Sequence, residues 1–228
     1  MNQASLLVVD DDPTLRDVLT FDLKRKGYQV TEAENGQEAL KFAKSNKVDL
    51  ILSDVRMAGG DGITLLKDIK KLNARSPKVM LISGFSDITL EEAYDLGADA
   101  IFGKPFDRKE LIRTVERMLK PRHEALAQKR DNQTHKIELS QPSALKFGRG
   151  GFFVALTGNF PPPGAIVGLQ IQFAQATLMG QGTVRWTRPQ DVLPGGCGIE
   201  IDYLEPECRE GILRLTDALD SKPFIPRN

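Results

Sequence analysis

The chain has 228 residues, a length that suits one large domain or two small ones. Lys and Arg together number 31, as do Asp and Glu, so no overall charge draws the protein to DNA or to a membrane surface. Its two cysteines, Cys197 and Cys208, are not in a metal-ligand spacing, and there is neither a signal peptide nor an apolar run long enough to span a membrane. We therefore expect a cytoplasmic protein with reduced thiols and no membrane insertion.

The first 120 residues alternate short apolar runs with amphipathic helical patterns. The runs predicted as strands are Leu6–Val9, Tyr28–Ala33, Val48–Ser53, Lys78–Ser83 and Ala100–Phe102. A helix is predicted after each run, beginning at Pro13 after the first and covering about Asp107–Leu119 after the last. Because such units pack helices on both faces of a parallel sheet, residues 1–120 are predicted to form a doubly wound α/β domain with five parallel strands.

A linker and a second domain are predicted after this region. Residues 121–135 are rich in Pro, Arg, His, Gln, Lys and Asn, which is typical of a linker, with a partly helical stretch over Glu124–Lys129. Residues 136–228 are predicted to form a small antiparallel β-barrel or sandwich with a C-terminal helix from about Glu207. Its predicted strands are Ala144–Phe147, Phe152–Leu156, Ile166–Phe173, Gly180–Trp186 and Gly198–Tyr203.

Polar residues stand at or just after the ends of four of the buried runs in the first domain. They are Asp10, Asp11, Asp54, Ser83 and Lys104. Since ligands bind beyond the carboxyl ends of parallel strands, these side chains are expected to meet at one edge of the sheet. Like charges about 4 Å apart repel by about 4 kcal/mol at an effective dielectric constant near 20, and a Mg²⁺ ion held by oxygen ligands relieves that repulsion. The pattern suits a carboxylate that accepts a phosphoryl group; helix capping explains only Asp12.

Five short motifs follow one another in residues 1–120: Val8–Pro13, Asp54–Met57, Asp61–Gly62, Ser83–Gly84 and Lys104–Phe106. In order and spacing, these motifs resemble those of a response-regulator receiver domain. The resemblance implies that Asp54 is the phosphoacceptor, that Asp10, Asp11, Asp54 and the backbone carbonyl of Arg56 hold Mg²⁺, and that Ser83 and Lys104 bind the phosphoryl group. It also implies a cis Lys104–Pro105 bond, and phosphoryl transfer from a sensor histidine kinase or a phosphotransfer protein.

Two positions depart from the receiver pattern. The family usually has Pro where this chain has Ala58, and an aromatic switch residue where it has Ile101, with Phe102 beside it. Strand alternation places Phe102 on the opposite face from Ile101. We therefore expect Asp54 to be phosphorylated. We expect the signal to reach the output by a route that differs from the usual aromatic switch.

An enzymatic alternative comes from the segment Asp10–Thr14, which also resembles the first motif of haloacid-dehalogenase-type phosphatases. This resemblance implies that Asp10 is the nucleophile of an aspartyl-phosphate phosphatase. However, no acidic pair follows Lys104 at a further strand end, and Asp54 has no role in such a site. We therefore expect a signalling protein and no enzyme.

Four short, mostly glycine-containing segments stand out between about residues 136 and 220: 150–154, 163–164, 184–186 and 196–201. Through these segments, this region resembles a PilZ domain. PilZ domains bind cyclic di-GMP through an Arg-x-x-x-Arg segment and a turn with Asp or Asn and Ser, but here Lys146 and Gly148 occupy the turn positions and the only Arg-x-x-x-Arg lies in a predicted helix. Lys146 and Arg149 remain as candidate nucleotide contacts. The sequence favours a degenerate PilZ-like output domain that acts on an unidentified protein target; a phosphorylation-gated cyclic di-GMP receptor is the alternative.

The last predicted helix of the receiver-like domain, Asp107–Leu119, runs directly into the linker. Receiver domains usually present their change on the face formed by their fourth helix, fifth strand and fifth helix. We therefore predict that phosphorylation alters domain–domain or dimer contacts, with two independent tethered domains as the alternative; the sequence leaves dimerisation open.

Overall fold

A computed structural model of the chain describes residues 3–84, 87–131, 133–139, 145–156, 160–173, 177–189, 191–192, 194–219 and 223–227. Its contacts divide the chain into two compact units. The first unit comprises Met1–Thr89 and Leu96–Leu119, and the second comprises Leu90–Asp95 and Lys120–Asn228. Among the described residues, no helix is long and apolar enough to cross a membrane.

The first unit contains a sheet of five parallel strands. The strands are β1 (Ser5–Val9), β2 (Gln29–Ala33), β3 (Leu50–Asp54), β4 (Lys78–Ser83) and β5 (Ala100–Gly103). The helices up to Leu119 are α1 (Pro13–Arg25), α2 (Gly36–Ser45), α3 (Gly62–Leu72), α4 (Leu90–Asp95) and α5 (Arg108–Leu119), of which α4 belongs to the second unit. The strand order β2-β1-β3-β4-β5 is that of a doubly wound sheet and confirms the predicted five-stranded parallel fold.

Local sequence explains how the helices begin and what they cover. Asp12 caps α1 by accepting hydrogen bonds from the Thr14 and Leu15 amides, and Pro13 takes the first helical position. Alternate strand residues and the apolar stripes of α1 and α5 form one core on one face of the sheet. The buried members of that core are Leu6, Val8, Leu19, Leu23, Leu50, Leu52, Met80, Ile82, Ala100, Leu111, Ile112, Val115 and Met118. This core fixes the strand ends that carry the polar residues.

Among its described residues, the second unit contains a six-stranded sheet and two helices in addition to α4. Its helices are α6 (Arg122–Ala125) and α7 (Pro206–Asp217). Its strands are β6 (Gln133–Leu139), β7 (Leu145–Phe147), β8 (Gly151–Ala155), β9 (Ile166–Gln172), β10 (Thr177–Arg188) and β11 (Gly196–Leu204), in the order β6-β9-β10-β11-β8-β7. Phe152, Phe153 and Trp186 are buried, so these aromatic side chains serve packing. Ala144, the predicted start of a strand, lies outside the described residues.

The structure differs from the sequence prediction at the start of the second unit. Strand β6 begins at Gln133, inside the stretch 121–135 that was predicted as a linker, and Leu126 is buried in the core of the unit. The strands that were predicted pair antiparallel, as expected, whereas β6, which was not predicted as a strand, pairs with β9 in parallel. Closure of the sheet into a barrel stays a prediction.

The C-terminal segment Pro223–Arg227 packs inside the second unit. The amides of Arg149 and Gly150 donate hydrogen bonds to the carbonyls of Pro223 and Phe224, at 2.9 and 3.0 Å. Helix α4 meets the same segment: the Tyr94 ring stacks on Phe224 with centroids 6.0 Å apart. The segment therefore joins the turn after β7 to α4.

Charged groups of α4 complete this arrangement. The Glu91 carboxylate accepts hydrogen bonds from Arg188 of β10 and from Arg227, the latter at 3.1 Å. The Arg227 amide donates to Asp95 at 2.9 Å. Burial alone would raise the pKa of Glu91, but the two guanidinium groups outweigh it and hold that pKa below its usual range.

Candidate functional site

The acidic residues lie where the strand order of the first unit reverses. The chain runs outward from β1 to β2 and then returns to β3 on the other side of β1. Asp10 is the residue directly after β1, and Asp54 is the last residue of β3. The residues just before them, Val9 and Ser53, are paired in the sheet. In open α/β sheets this switch point is where ligands bind.

Three carboxylates meet at this point. Oxygen atoms of Asp10, Asp11 and Asp54 lie within 4.8 Å of one another. Asp10 is 1% exposed; its Oδ1 accepts the Asp12 amide at 2.9 Å, while its buried Oδ2 has no hydrogen-bond partner in the described part of the chain. Asp11 is exposed, and its Oδ2 accepts the Ala58 amide at 2.9 Å. The cluster therefore holds more negative charge than its own hydrogen bonds compensate.

Lys104 supplies the positive charge of the site. Its Nζ lies 2.6 Å from Oδ1 of Asp54 and 3.7 Å from Oδ2 of Asp10. Burial works against the charge of Lys104, but the hydrogen bond to Asp54 and the attraction of both carboxylates outweigh it and raise the pKa of the lysine. The pKa of Asp10 is also raised, chiefly by burial and further by Asp54 and Asp11, against the opposing effects of the Asp12 amide and Lys104.

The loop after β3 folds back tightly against the phosphoacceptor candidate. A β-carbon on Gly62 would lie 2.1 Å from the backbone oxygen of Asp54, so only glycine permits this approach. Gly59 and Gly60 have positive φ angles of 79° and 130°, and Asp61 caps α3 by accepting the Thr64 amide at 2.8 Å. These residues hold the Arg56–Ala58 stretch beside the acidic cluster, where the Ala58 amide meets Asp11.

Ser83 and Lys104 occupy the ends of neighbouring strands. The Lys104 amide donates to the Ser83 carbonyl at 2.8 Å, and Ser83 is 4% exposed. The Ser83 hydroxyl donates to the carbonyl of Gly84 at 2.8 Å. The Lys104–Pro105 bond is cis, as predicted. The structure thus brings the five sequence-predicted side chains to one edge of the sheet.

The aromatic residue beside the usual switch position faces the core shared with α1 and α5. Phe102 packs against that core and meets Phe106 edge to face, with centroids 6.5 Å apart. Ile101 pairs with Leu81 in the sheet and is partly exposed. Phe102 therefore does not take the place of Ile101 at the switch position, because strand alternation puts the two side chains on opposite faces of the sheet.

Two arginine side chains near the site were not singled out by sequence reasoning, which named only the backbone carbonyl of Arg56. Arg16, on the second turn of α1, donates to the backbone carbonyl of Asp10 at 2.6 Å and lies 3.4 Å from Glu32. The side chain of Arg56 forms an ion pair with Asp87. Arg16 could have been found from its place one helical turn after the acidic segment, but no sequence signal links Arg56 with Asp87.

The candidate nucleotide contacts of the second unit lie on β7 and in the turn after it. Lys146 is exposed on β7. Arg149 is 6% exposed, with its guanidinium 5.8 Å above the Phe224 ring. The arginines of the Arg-x-x-x-Arg pattern, Arg113 and Arg117, lie on α5 in the first unit, as predicted.

The acidic cluster fits a hard divalent cation. Its donors are carboxylate oxygens, which Mg²⁺ prefers. The buried Oδ2 of Asp10 has no hydrogen-bond partner among the described residues. Burial, and further the charges of Asp54 and Asp11, raise the pKa of Asp10, and a bound cation would favour its charged form. The acidic cluster at the switch point, with the Lys104 ammonium beside it, forms a site suited to a phosphoryl group and a divalent cation.

Comparison with known proteins identifies the domain formed by the first half of the chain. Residues 6–116 match the model of the response regulator receiver domain. Similar solved structures include a response regulator from Chloroflexus aurantiacus, with 32% identity over 52% of this chain and 98% of that one, at a TM-score of 0.48. The response regulator TrrA of Thermotoga maritima, solved with Mg²⁺ and BeF, shares 33% identity over 51% of this chain and 100% of its own, at a TM-score of 0.46.

A third similar structure is the chemotaxis response regulator CheY4 of Vibrio cholerae, at 27% identity over 52% of this chain and 100% of that one, with a TM-score of 0.47. The family match identifies residues 6–116 as a response regulator receiver domain. The matched residues 6–116 include α4, which the contacts group with the second unit.

Proposed function

We propose that the protein is a two-component response regulator in which Asp54 accepts a phosphoryl group from a phosphohistidine of a sensor histidine kinase or phosphotransfer protein. One observation carries the proposal: Asp54 lies with Asp10 and Asp11 in a cluster of oxygens within 4.8 Å, under the ammonium of Lys104. The protein accepts the group as a signal and is not an enzyme that turns over an external substrate.

The chemistry follows from the charges of the site. A carboxylate oxygen of Asp54 attacks the phosphorus, and the P–N bond of the donor breaks with its electron pair leaving on the imidazole nitrogen. Lys104 orients Asp54 and offsets the charge that builds up on the phosphoryl oxygens. Mg²⁺, held by Asp10, Asp11, Asp54 and the Arg56 carbonyl, would neutralise the carboxylates so that an anionic donor can approach. Ser83 is the hydroxyl donor at the same edge.

Labelling with a small phosphodonor tests this proposal. With Mg²⁺ and acetyl phosphate, the full chain should gain one phosphoryl group by intact mass. Asp54→Asn, which keeps the size of the side chain and removes its charge, should abolish the gain, and chelation of Mg²⁺ should do the same to the wild type.

The same experiment distinguishes the receiver proposal from the phosphatase alternative. If Asp54→Asn is still labelled and Asp10→Asn alone is not, then Asp10 is the nucleophile and the receiver proposal is wrong. Asp17→Asn, at an exposed position on α1, is the matched control and should be labelled like the wild type.

We propose further that the second unit is a PilZ-like output domain that acts through contacts with another protein. The turn that would hold a nucleotide supports this: its Arg149 and Gly150 amides donate to the chain's own C-terminal segment. The Arg149 guanidinium is buried over Phe224, and Gly148 lies so close that a β-carbon would be 2.4 Å from the Pro223 carbonyl. These groups are already occupied.

Calorimetry with cyclic di-GMP tests this second proposal on the full chain. Each missing charge-assisted hydrogen bond forfeits about 1.5–3 kcal/mol, so binding should be weaker than micromolar. A dissociation constant below about 10 μM would replace this proposal with the gated cyclic di-GMP receptor. Repeating the titration with Lys146→Ala would then show whether this exposed lysine is a contact.

The third part of the proposal is that phosphorylation of Asp54 is communicated from the receiver domain to the output domain. Hydrogen exchange with and without beryllofluoride, which stands in for the phosphoryl group, should change beyond residue 106 as well as before it. Changes confined to residues 1–106, with an unaltered oligomeric state, would favour independent domains.

A further inference from the structure

A fourth carboxylate, that of Asp87, lies in the loop after β4, and the phosphoryl transfer described above does not use it. Its side chain is 7% exposed. Its Oδ2 accepts a hydrogen bond from the Gly84 amide at 2.5 Å, and its Oδ1 forms an ion pair with the Arg56 guanidinium. Asp87 therefore ties the loop after β3 to the loop after β4 within the first unit.

As a result, the donors at the end of β4 are engaged locally. The Gly84 amide is bonded to Asp87, and the Ser83 hydroxyl to the Gly84 carbonyl. Both follow the residue, Ile82, that pairs with Asp54 in the sheet. A phosphoryl group on Asp54 adds about −1.5 to −2 charges, and N–H and O–H donors at this edge are the groups that can stabilise its oxygens.

We propose that the Asp87 carboxylate is a built-in competitor of the phosphoryl group: it occupies the Gly84 amide, Arg56 holds it there, and phosphorylation of Asp54 displaces it. The inference rests on the proposed function and concerns the regulation of that same site. Repulsion between the phosphoryl group and the carboxylate favours the displacement. The displaced state leaves the Gly84 amide to a phosphoryl oxygen and breaks the link to Arg56.

Gly84 offers a second, independent way to remove the competitor. A β-carbon at this position would lie 2.8 Å from Oδ2 of Asp87, and the three nearest atoms within 4 Å all belong to the Asp87 carboxyl group. Gly84→Ala should therefore push the carboxylate off the amide and leave the amide in place. Asp87→Ala removes the carboxylate outright, so the two variants should behave alike.

The test measures the initial rate of phosphorylation of the full chain by acetyl phosphate with Mg²⁺, and the affinity for beryllofluoride. Asp87→Ala and Gly84→Ala should both raise the rate and the affinity, by about tenfold, the scale of one charge-assisted hydrogen bond. The affinity for Mg²⁺ alone should stay unchanged. A general loosening of the site would instead change that affinity as well. Asp68→Ala, which removes one negative charge from α3, is the matched control and should behave like the wild type.

Two results would overturn the inference, and they are distinguishable. If the wild type is labelled on Asp54 and both variants keep its rate and its beryllofluoride affinity, Asp87 is no competitor while the proposed function stands. If the wild type neither takes up the label nor binds beryllofluoride, the proposed function fails and this inference fails with it.

Discussion

Buried charge is arranged differently in the two units. In the first unit, Asp10 and Asp54 share the ammonium of Lys104 beside Asp11, and one buried carboxylate oxygen of Asp10 has no hydrogen-bond partner among the described residues. In the second unit, Arg185 meets Glu200 at 2.5–2.6 Å, Arg188 and Arg227 meet Glu91, and Asp202 accepts from Thr183. Unbalanced buried charge is costly unless a ligand compensates it, whereas matched charge stabilises the fold that holds it. The contrast indicates that the first unit, with its uncompensated carboxylates, is the one suited to bind a cation.

Neutralising a matched carboxylate should have the largest effect. Glu200→Gln leaves Arg185, whose pKa is raised by Glu200 against the effect of burial, without its charge partner. We expect the free energy of unfolding of the second unit to fall by about 2–4 kcal/mol. Amide hydrogen exchange of β10 and β11 in the full chain measures it.

Glu210→Gln is the control for that prediction. Glu210 forms an exposed pair with Arg214 one helical turn away, and its loss should change the stability by no more than about 0.5 kcal/mol. Equal effects of the two substitutions would contradict the claim that the Arg185 pair is structural.

The same kind of substitution should have the opposite sign in the first unit. Without divalent cations, Asp10→Asn relieves the repulsion from Asp54 and Asp11, so exchange of the β1 and β3 amides should slow by the equivalent of about 1–2 kcal/mol. Mg²⁺ should stabilise the wild type more than the variant. Destabilisation by Asp10→Asn in cation-free buffer would erase the contrast between the two units.

The advantage of Asp10→Asn should depend on pH. The folded-state pKa of Asp10 is raised above the ordinary value of 3.8, so the folded protein binds the proton more tightly than the unfolded chain. The stability of the wild type therefore decreases as the pH rises from about 4 through the raised pKa, and the full penalty persists above it. The gap between variant and wild type should close as the pH falls to about 4. A gap that is constant with pH would point to a cause other than charge.

The smallest effect is expected at α4. Glu91→Gln weakens the contacts of Arg188 and Arg227 and should speed exchange of the Ile225 and Arg227 amides by the equivalent of about 1 kcal/mol, given that Arg227 is half-exposed. Because the pKa of Glu91 is lowered, this stabilisation is present above pH 4.5 and is lost as the pH falls through the lowered pKa. An unchanged C-terminal segment at neutral pH would show that Glu91 does not hold it.

The parts of the first unit that could be predicted from sequence share one property, which is that they follow from position along a strand. Asp10, Asp54, Ser83 and Lys104 each end or follow an apolar run, and parallel strands bring such ends together whatever the loops do. The cap of α1 at Asp12 is equally local. Their placement therefore required no knowledge of the tertiary structure.

The remaining features depend on contacts between distant segments. Strand β6 carries mostly polar residues and buries Ile137, so its pattern resembles a linker until β9 pairs with it. Asp87 lies 31 positions after Arg56, and loop conformation alone brings them together. The grouping of α4 with the second unit likewise depends on Phe224, which is 130 positions after Tyr94.

The membership of α4 in the second unit bears on how such a protein can evolve. The chain enters the second unit at Leu90, leaves it after Asp95 and returns at Lys120. A receiver cut out at Leu119 would carry α4 without Phe224, and so would expose the Tyr94 ring, which is 3% exposed in the intact chain. Recombination that exchanges the output half for another would leave the same apolar surface. The two halves of this chain are therefore expected to be inherited together and not shuffled as separate cassettes.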